Sequence, residues 1–349
     1  MSAARCSDRS MLLFSGRAHP DLSERIAREL GAGLVPTQAR DFANGEIYVR
    51  YERSVRGADC FVIQSHTAPI NTWVMEQLIM VDALKRASAR SITVVAPFYG
   101  YSRQDKKHRR REPISARLLA DLLASAGADR IITVDLHTDQ VAGFFDGPVD
   151  HLFALPTLAD HVAAHTDRDR LTVVSPDAGR VRVADRWCDR LGTPLAIVHK
   201  KRDKDAAHRV SVHEVVGKVE GRVCLLVDDM VDTAGTVCAA AEALYDGGAE
   251  DVIVAATHGV LSGPAVDRLK SSRVSRFLFT DTLPTAASTG LDKVEVLSVA
   301  PVVARAIRKV VGNGSATGLF DDVWARSAAG PGRGGSAAGR TGAAGPGKP

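Results

Sequence analysis

The chain has 349 residues, of which 45% are hydrophobic, 25% charged and 5% aromatic. That balance excludes a wholly disordered or collagen-like chain and leaves room for roughly two or three domains. Lysine and arginine number 45 against 41 acids, a formal charge of +4, so anion binding must come from local clusters rather than from the overall field.

Five scattered cysteines (Cys6, Cys60, Cys188, Cys224, Cys238) with no C-x-x-C fit a reduced cytosolic chain and argue against a disulfide scaffold or a thiolate zinc site. No apolar run approaches the roughly 18 residues that span a bilayer. The apolar stretch of the first 16 residues is too short for a signal peptide. The expectation is a cytoplasmic protein with no membrane partner.

Along the chain, short β-branched runs alternate with amphipathic stretches. CFVIQS from Cys60 reads as a strand, NTWVMEQLIMVDALKRAS as a helix, and SITVVAPF from Ser91 as a strand. PISARLLADLLASAG reads as a helix with a glycine stop, and RIITVDL from Arg130 as a strand. LTVVSPD from Leu171, PLAIVHKK from Pro194 and RVCLLVDD from Arg222 are further strands; TVCAAAEALYDGG is a glycine-stopped helix and DVIVAATH from Asp251 a strand. The strands are near-continuous apolar runs, which suits parallel strands buried on both faces, and repeated βα units build an open α/β sheet. GADRIITVDLH (127–137) resembles GAEDVIVAATH (248–258). Two similar α/β halves divided near residue 155 account for that, giving domains at 11–155 and 156–320. The 327–349 segment is rich in Gly, Ala and Pro and lacks large apolar residues, so it reads as a disordered tail.

The sharpest chemical signal is RVCLLVDDMVDTAGTVCAAAEAL. A buried strand runs into Asp228 and Asp229, and Asp232-Thr233-Ala234-Gly235-Thr236 opens a helix. Small residues let backbone N–H groups turn towards an anion, the helix N-terminus favours negative charge, and paired carboxylates accept hydrogen bonds from vicinal hydroxyls. The pair sits where an open α/β sheet binds ligands.

This segment resembles the phosphoribosyl-pyrophosphate loop of the phosphoribosyltransferase fold. From Met11 to Phe320 the chain resembles the ribose-phosphate pyrophosphokinase family. The resemblance implies two tandem phosphoribosyltransferase-type domains with mainly parallel central sheets flanked by helices, the last helix packing back on the first domain. It implies transfer of the pyrophosphoryl group of Mg-ATP to the C1 hydroxyl of ribose 5-phosphate, with release of AMP. The product serves nucleotide, His and Trp synthesis. By the same resemblance the 232–236 loop takes the 5-phosphate while Asp228 and Asp229 take the ribose hydroxyls.

The remaining motifs carry a bland reading beside the family one. DFANGEIYVR (41–50) is an N-G turn between two strands by its residues. By resemblance Phe42 stacks on adenine and Asn44, Gly45 and Glu46 complete an ATP loop donated by a neighbouring subunit. In GYSRQDKKHRRREPIS (100–115), six basic residues face one acid, Asp105, between Arg103 and Arg111. Arg103 and Gln104 match the family's ATP-binding pair, while Arg109, Arg110 and Arg111 read as a solvated loop with no aromatic interleaving for nucleic acid. His137 ends a predicted strand and Asp177 stands ready to cap a helix; by resemblance both serve magnesium. Asp135 reads as orienting His137 or the loop rather than binding metal, and His258, the mirror of His137 in the repeat, as structural. Arg180 stands where the family pattern has Gly, which puts the loop's backbone in doubt. Lys200 and Arg202 alternate, so in a strand they share a face; by resemblance they are the catalytic pair, with Arg202 also on the sugar, and Asp203 replaces the usual proline. The family implies a hexamer, with inorganic phosphate and ADP as effectors. Two rival readings stay open on residues alone: a true phosphoribosyltransferase and a non-catalytic regulatory homologue.

Overall fold

The structure, a computed structural model, describes residues 10–202 and 211–312, with backbone only at 200–202 and 211–213. Asp203 and the 327–349 tail lie outside the described residues.

The first half builds a five-stranded parallel sheet in the order β1 (Met11–Ser15), β4 (Asp59–Ile63), β5 (Ser91–Ala96), β6 (Arg130–Val134), β7 (Val149–Leu152). A separate hairpin, β2 (Thr37–Asp41) with β3 (Ile47–Tyr51), projects from it. The second half builds a seven-stranded sheet in the order β10 (Ser211–Val216), β9 (Leu195–Arg202), β8 (Leu171–Ser175), β11 (Val223–Val231), β12 (Asp251–Gly259), β13 (Arg276–Thr280), β14 (Val294–Leu297), parallel except for β10. All seven strands expected from apolar runs form.

The strands are apolar on both faces because both faces are covered. Leu13, Phe61, Ile63, Val95, Ile132 and Val134 point into a core shared with Val173, Leu225, Val227, Ile253 and Leu278 of the other sheet. Their strand neighbours Leu12, Phe14, Cys60, Val62, Val94 and Ile131 point the opposite way, as the two-residue period requires. The inner layer between the sheets holds α1 (Pro20–Leu30), α4 (Leu155–His165), α5 (Val181–Leu191) and α8 (Ala300–Val311). The outer faces carry α2 (Ile70–Arg86) and α3 (Ser115–Ala126) on the first sheet, and α6 (Gly235–Asp246) and α7 (Ala265–Ser271) on the second. Helix α8 lies against α1, where Arg308 donates to the Glu29 carbonyl. Gly127 closes α3 in the left-handed conformation at φ 119°, a role its missing Cβ permits; Gly247 after α6 does not, its φ being −77°.

Each half holds a strand–helix–strand unit, β5–α3–β6 and β11–α6–β12, and β6 and β12 meet across the seam: His258 bonds the carbonyls of Val134 and Asp135, both at 3.1 Å. No described helix is long and apolar enough to cross a membrane, and the four described cysteines are free.

Candidate active site

Between β8 and β11 the connections diverge. Strand β8 leads through α5 in the inner layer to β9 on one side, while β11 leads through α6 on the outer face to β12 on the other. Pairing of β11 with β8 stops at Leu226–Val174, yet β11 continues beside β12 to Val231. The strands part there, and such a switch point opens a crevice at the carboxyl ends of the strands. Asp228 and Asp229 therefore lie inside β11 rather than at its end, just past the last pair with β8.

The acid pair is nearly buried, with side chains 15% and 6% exposed. The Asp229 amide donates to Asp228 Oδ1 at 2.8 Å. Burial and the adjacent Asp229 carboxylate push Asp228 well above the usual carboxylate range. Burial acts on Asp229 in the same direction, but the His137 hydrogen bond and the Arg180 cation outweigh it and hold that group down to about 2.

His137 comes to this pair from the first half: its Nδ1 is 2.8 Å from Asp229 Oδ2. Asp135 aims it. Asp135 takes φ 39°, which turns the chain out of β6. Its carboxylate accepts from the Thr257 hydroxyl at 2.6 Å and the Ala154 amide at 2.9 Å, across the seam and at the start of α4. Burial pushes Asp135 up to about 6. His258 is fully enclosed, with Nδ1 2.8 Å from the Thr282 hydroxyl, the structural role expected of it.

Asp177 caps the turn before α5, accepting from the Gly179 and Arg180 amides at 2.7 and 3.0 Å. The doubt about Arg180 resolves simply: its φ is −99°, so the backbone there has no need of glycine. Its side chain is the unforeseen part of the site. Nε lies 3.2 Å from Asp228 Oδ1, Nη2 lies 2.8 Å from Asp229 Oδ1 and 2.6 Å from His137 Nδ1, and Nη1 donates to the His137 carbonyl at 3.1 Å. The sequence signal was a charged residue in a glycine position.

The 232–236 loop follows. Ala234 sits left-handed at φ 60°, a conformation that costs a residue with a Cβ about 1–2 kcal/mol. It leads directly into α6, and no side chain caps that helix. Arg268 pins the loop through the Thr233 carbonyl at 2.8 Å, and the Ser262 amide holds the Asp232 carbonyl at 2.9 Å. The Asp232 carboxylate is drawn off to Arg103 at 2.8 Å, so the 100–115 loop of the first half and the 232–236 loop of the second meet across the seam. Gly235 and Thr236 form the first turn of α6.

Gln104 turns back to α3, accepting from the Ser115 hydroxyl at 2.7 Å. Asp105, counted from sequence only as the lone acid among cations, is buried and accepts from Thr138 at 2.6 Å and Gln140 at 2.5 Å. Burial raises it, but those two bonds prevail and hold it below the usual range. Asp105 thus ties the Arg103 loop to the His137 loop. Phe42, Asn44, Gly45 and Glu46 form the tip of the β2–β3 hairpin, with Gly45 at φ 88° and Phe42 44% exposed. The tip is not part of the cavity, about 630 Å³, that runs from the acid pair along α5 past His137, Asp139, Arg180 and Arg186. Lys200 and Arg202 close β9, their backbones paired with His213 and Ser211 of β10; their side chains lie outside the described residues.

No group of three or more His, Cys, Asp and Glu among the described residues is placed to hold a metal ion. Magnesium bound with a nucleotide takes one or two protein ligands and completes its shell with phosphate oxygens and water. Both cap bonds of Asp177 use Oδ1, which leaves its Oδ2 for a cation, whereas His137 turns Nδ1 to Asp229 and has the Arg180 guanidinium 3.5 Å from Nε2.

Comparison with known proteins bears on all of this. A family profile for the N-terminal domain of ribose phosphate pyrophosphokinase matches residues 11–127, and one for the phosphoribosyl synthetase-associated domain matches residues 204–321. The ribose-phosphate pyrophosphokinase of Streptomyces coelicolor is 74% identical over 315 residues, covering 90% of this chain and 97% of that one. That of Mycobacterium tuberculosis is 56% identical over 314 residues, covering 90% and 96%. The crystal structure of phosphoribosylpyrophosphate synthetase from Mycobacterium smegmatis superposes with a TM-score of 0.83 at 55% identity, over 88% of this chain and all of that one. The chain belongs to the ribose-phosphate pyrophosphokinase family.

Proposed function

We propose that the crevice between β8 and β11 is where this chain moves the β,γ-pyrophosphoryl group of ATP onto the C1 hydroxyl of ribose 5-phosphate and releases AMP. The observation that carries this placement is the convergence of Asp228, Asp229 and the 232–236 amides beside His137, a residue of the other half.

In this reading the amides of 234–236 and the hydroxyls of Thr233 and Thr236 take the 5-phosphate, and Asp228 and Asp229 accept the vicinal ribose hydroxyls. Asp177 and His137 would hold magnesium, which when bound draws charge from the phosphate oxygens. Arg103 and Gln104 serve the nucleotide; Arg103 exchanges Asp232 for a phosphate oxygen, which its planar fork suits. Lys200 and Arg202 close over the reactants, exclude water and neutralise charge on the transferring group and the departing AMP. In-line displacement at phosphorus is largely positioning and electrostatics, so no general base has to be named.

The exposed hairpin tip with Phe42 supports a nucleotide site completed by a second copy of the chain, in a hexamer by analogy with the family. Light scattering that found an active monomer would undo that part. Inorganic phosphate and ADP as effectors belong to the same analogy.

Loss of one charge-stabilising contact raises a barrier by about 3 kcal/mol, roughly a hundredfold in rate. With AMP release followed in ATP, ribose 5-phosphate and magnesium, Lys200→Ala is therefore expected to turn over at least about a hundredfold more slowly, with ribose 5-phosphate affinity little changed. Near-normal turnover would refute the catalytic assignment.

A further inference from the structure

We propose that the Arg180 guanidinium is a displaceable counter-ion of the sugar site: it steadies Asp228 and Asp229 while the site is empty and gives them up when ribose 5-phosphate binds. This rests on the reading of the acid pair as the ribose site.

The two carboxylates are adjacent, nearly buried and mutually repulsive. Leaving such a pair without a cation is strongly destabilising, and Arg180 supplies one from the N-terminal cap of α5. Its seat lies on oxygens that a bound diol would also use. Asp228 Oδ1 already receives the Asp229 amide and lies beside Arg180 Nε; Asp229 Oδ1 lies beside Nη2, and Asp229 Oδ2 faces His137. Three of the four oxygens are thus engaged before any sugar hydroxyl arrives.

The same geometry makes the guanidinium removable. Its approaches, Nε to Asp228 Oδ1 at 3.2 Å and Nη2 to Asp229 Oδ1 at 2.8 Å, spread the guanidinium over two acids, whereas the strong arginine–carboxylate pair sets the whole fork on one. Although Nη2 is 2.8 Å from Asp229 Oδ1, that oxygen has no hydrogen bond of proper direction. Towards that acid it is charge that holds the cation, while its hydrogen bonds run to the His137 carbonyl and Nδ1. The cavity along α5, about 630 Å³ and lined by Arg180 itself, gives the side chain room to swing while its backbone stays in the turn capped by Asp177. Arg180 is on this account a positioning residue: it keeps the acids and His137 in register for the incoming sugar, and its departure is part of binding.

The test is a crystal structure of the full-length chain with ribose 5-phosphate and no nucleotide. The expected result has the sugar hydroxyls on Asp228 and Asp229, its phosphate on 232–236, and Arg180 beyond hydrogen-bond reach of both carboxylates. The sugar in that place with Arg180 still on both acids would overturn this proposal and leave the site reading intact; the sugar bound elsewhere would overturn both. Calorimetry of ribose 5-phosphate binding to Arg180→Lys probes the same displacement in solution. Lysine keeps the charge but cannot reach both acids and the His137 carbonyl together, so weaker competition should tighten binding about fivefold. Unchanged or weaker binding would count against displacement.

Discussion

His137 and His258 stand at the same place in two copies of one βα unit, and they have opposite surroundings. Strand β12 runs on through His258 to Gly259, paired there with β11 and β13, and that imidazole is sealed in and spends its nitrogens on Thr282 and on two carbonyls across the seam. Strand β6 stops at Val134; Asp135 then turns at φ 39°, and the side chain of His137 emerges 27% exposed beside Asp229. Similar strand ends are thus divided into a buried fastener and a partly exposed group beside the acid pair by where the pairing stops. One half of the molecule contributes an open edge, and the other closes over it.

The largest expected effect tests that division directly. His137→Ala should lower turnover by about a hundredfold or more, the loss typical of one transition-state contact, with the thermal midpoint barely moved. His258→Ala should do the reverse. Losing a buried ring that makes hydrogen bonds across the seam costs on the order of 3 kcal/mol of stability, while turnover per folded molecule at 25 °C stays within about twofold. If His258→Ala instead abolished AMP release in a fully folded protein, the distinction would fail.

The next effect is acid sensitivity of the enclosed histidines. His66 accepts the Gly100 amide on Nδ1 at 2.9 Å and faces Gln77 through Nε2 at 2.8 Å, and burial pushes its pKa down to about 4. His151 accepts the Leu136 amide and is likewise pushed down to about 4 by burial. Unfolding lets both take up protons below about 6.5, so their stability contribution is complete above that pH and is lost as pH falls towards 4, on the order of 3 kcal/mol each. Asp135, raised to about 6, works the other way in the same window and offsets part of the loss. Urea midpoints at pH 7 and pH 4.5 should differ, and His66→Asn should narrow the gap. An equal gap in that variant would contradict the assignment.

The smallest effect concerns the sugar loop. Ala234→Gly removes the left-handed penalty but loosens the unfolded chain, so a net gain below about 1 kcal/mol is expected, with ribose 5-phosphate affinity unchanged. A clear loss of affinity would mean that the Ala234 methyl itself touches the ligand.

Much of this was legible in the sequence. Apolar runs from Cys60, Ser91, Arg130, Leu171, Pro194, Arg222 and Asp251 became strands because strands buried on both faces have an unmistakable composition. The short or polar strands β2, β7, β10 and β14, with burial patterns such as that of TQARD, had no such signature. The acid pair and its loop were readable because their residue types are consecutive. The roles of Arg180 and Asp105 were not, since each depends on partners far along the chain: Arg180 on His137 and Asp229, Asp105 on Thr138 and Gln140. Local sequence announced both only as oddities, a cation in a glycine position and an acid among bases.

The central claim is that the carboxylates past the last β8–β11 pair hold the sugar. Equilibrium binding of ribose 5-phosphate to the Asp228→Asn, Asp229→Asn double variant, compared with the unaltered chain, tests it most directly. Charge-assisted hydrogen bonds are worth about 1.5–3 kcal/mol each, so the dissociation constant should rise at least about tenfold while the thermal midpoint is kept. An unchanged dissociation constant in the folded variant would contradict the account.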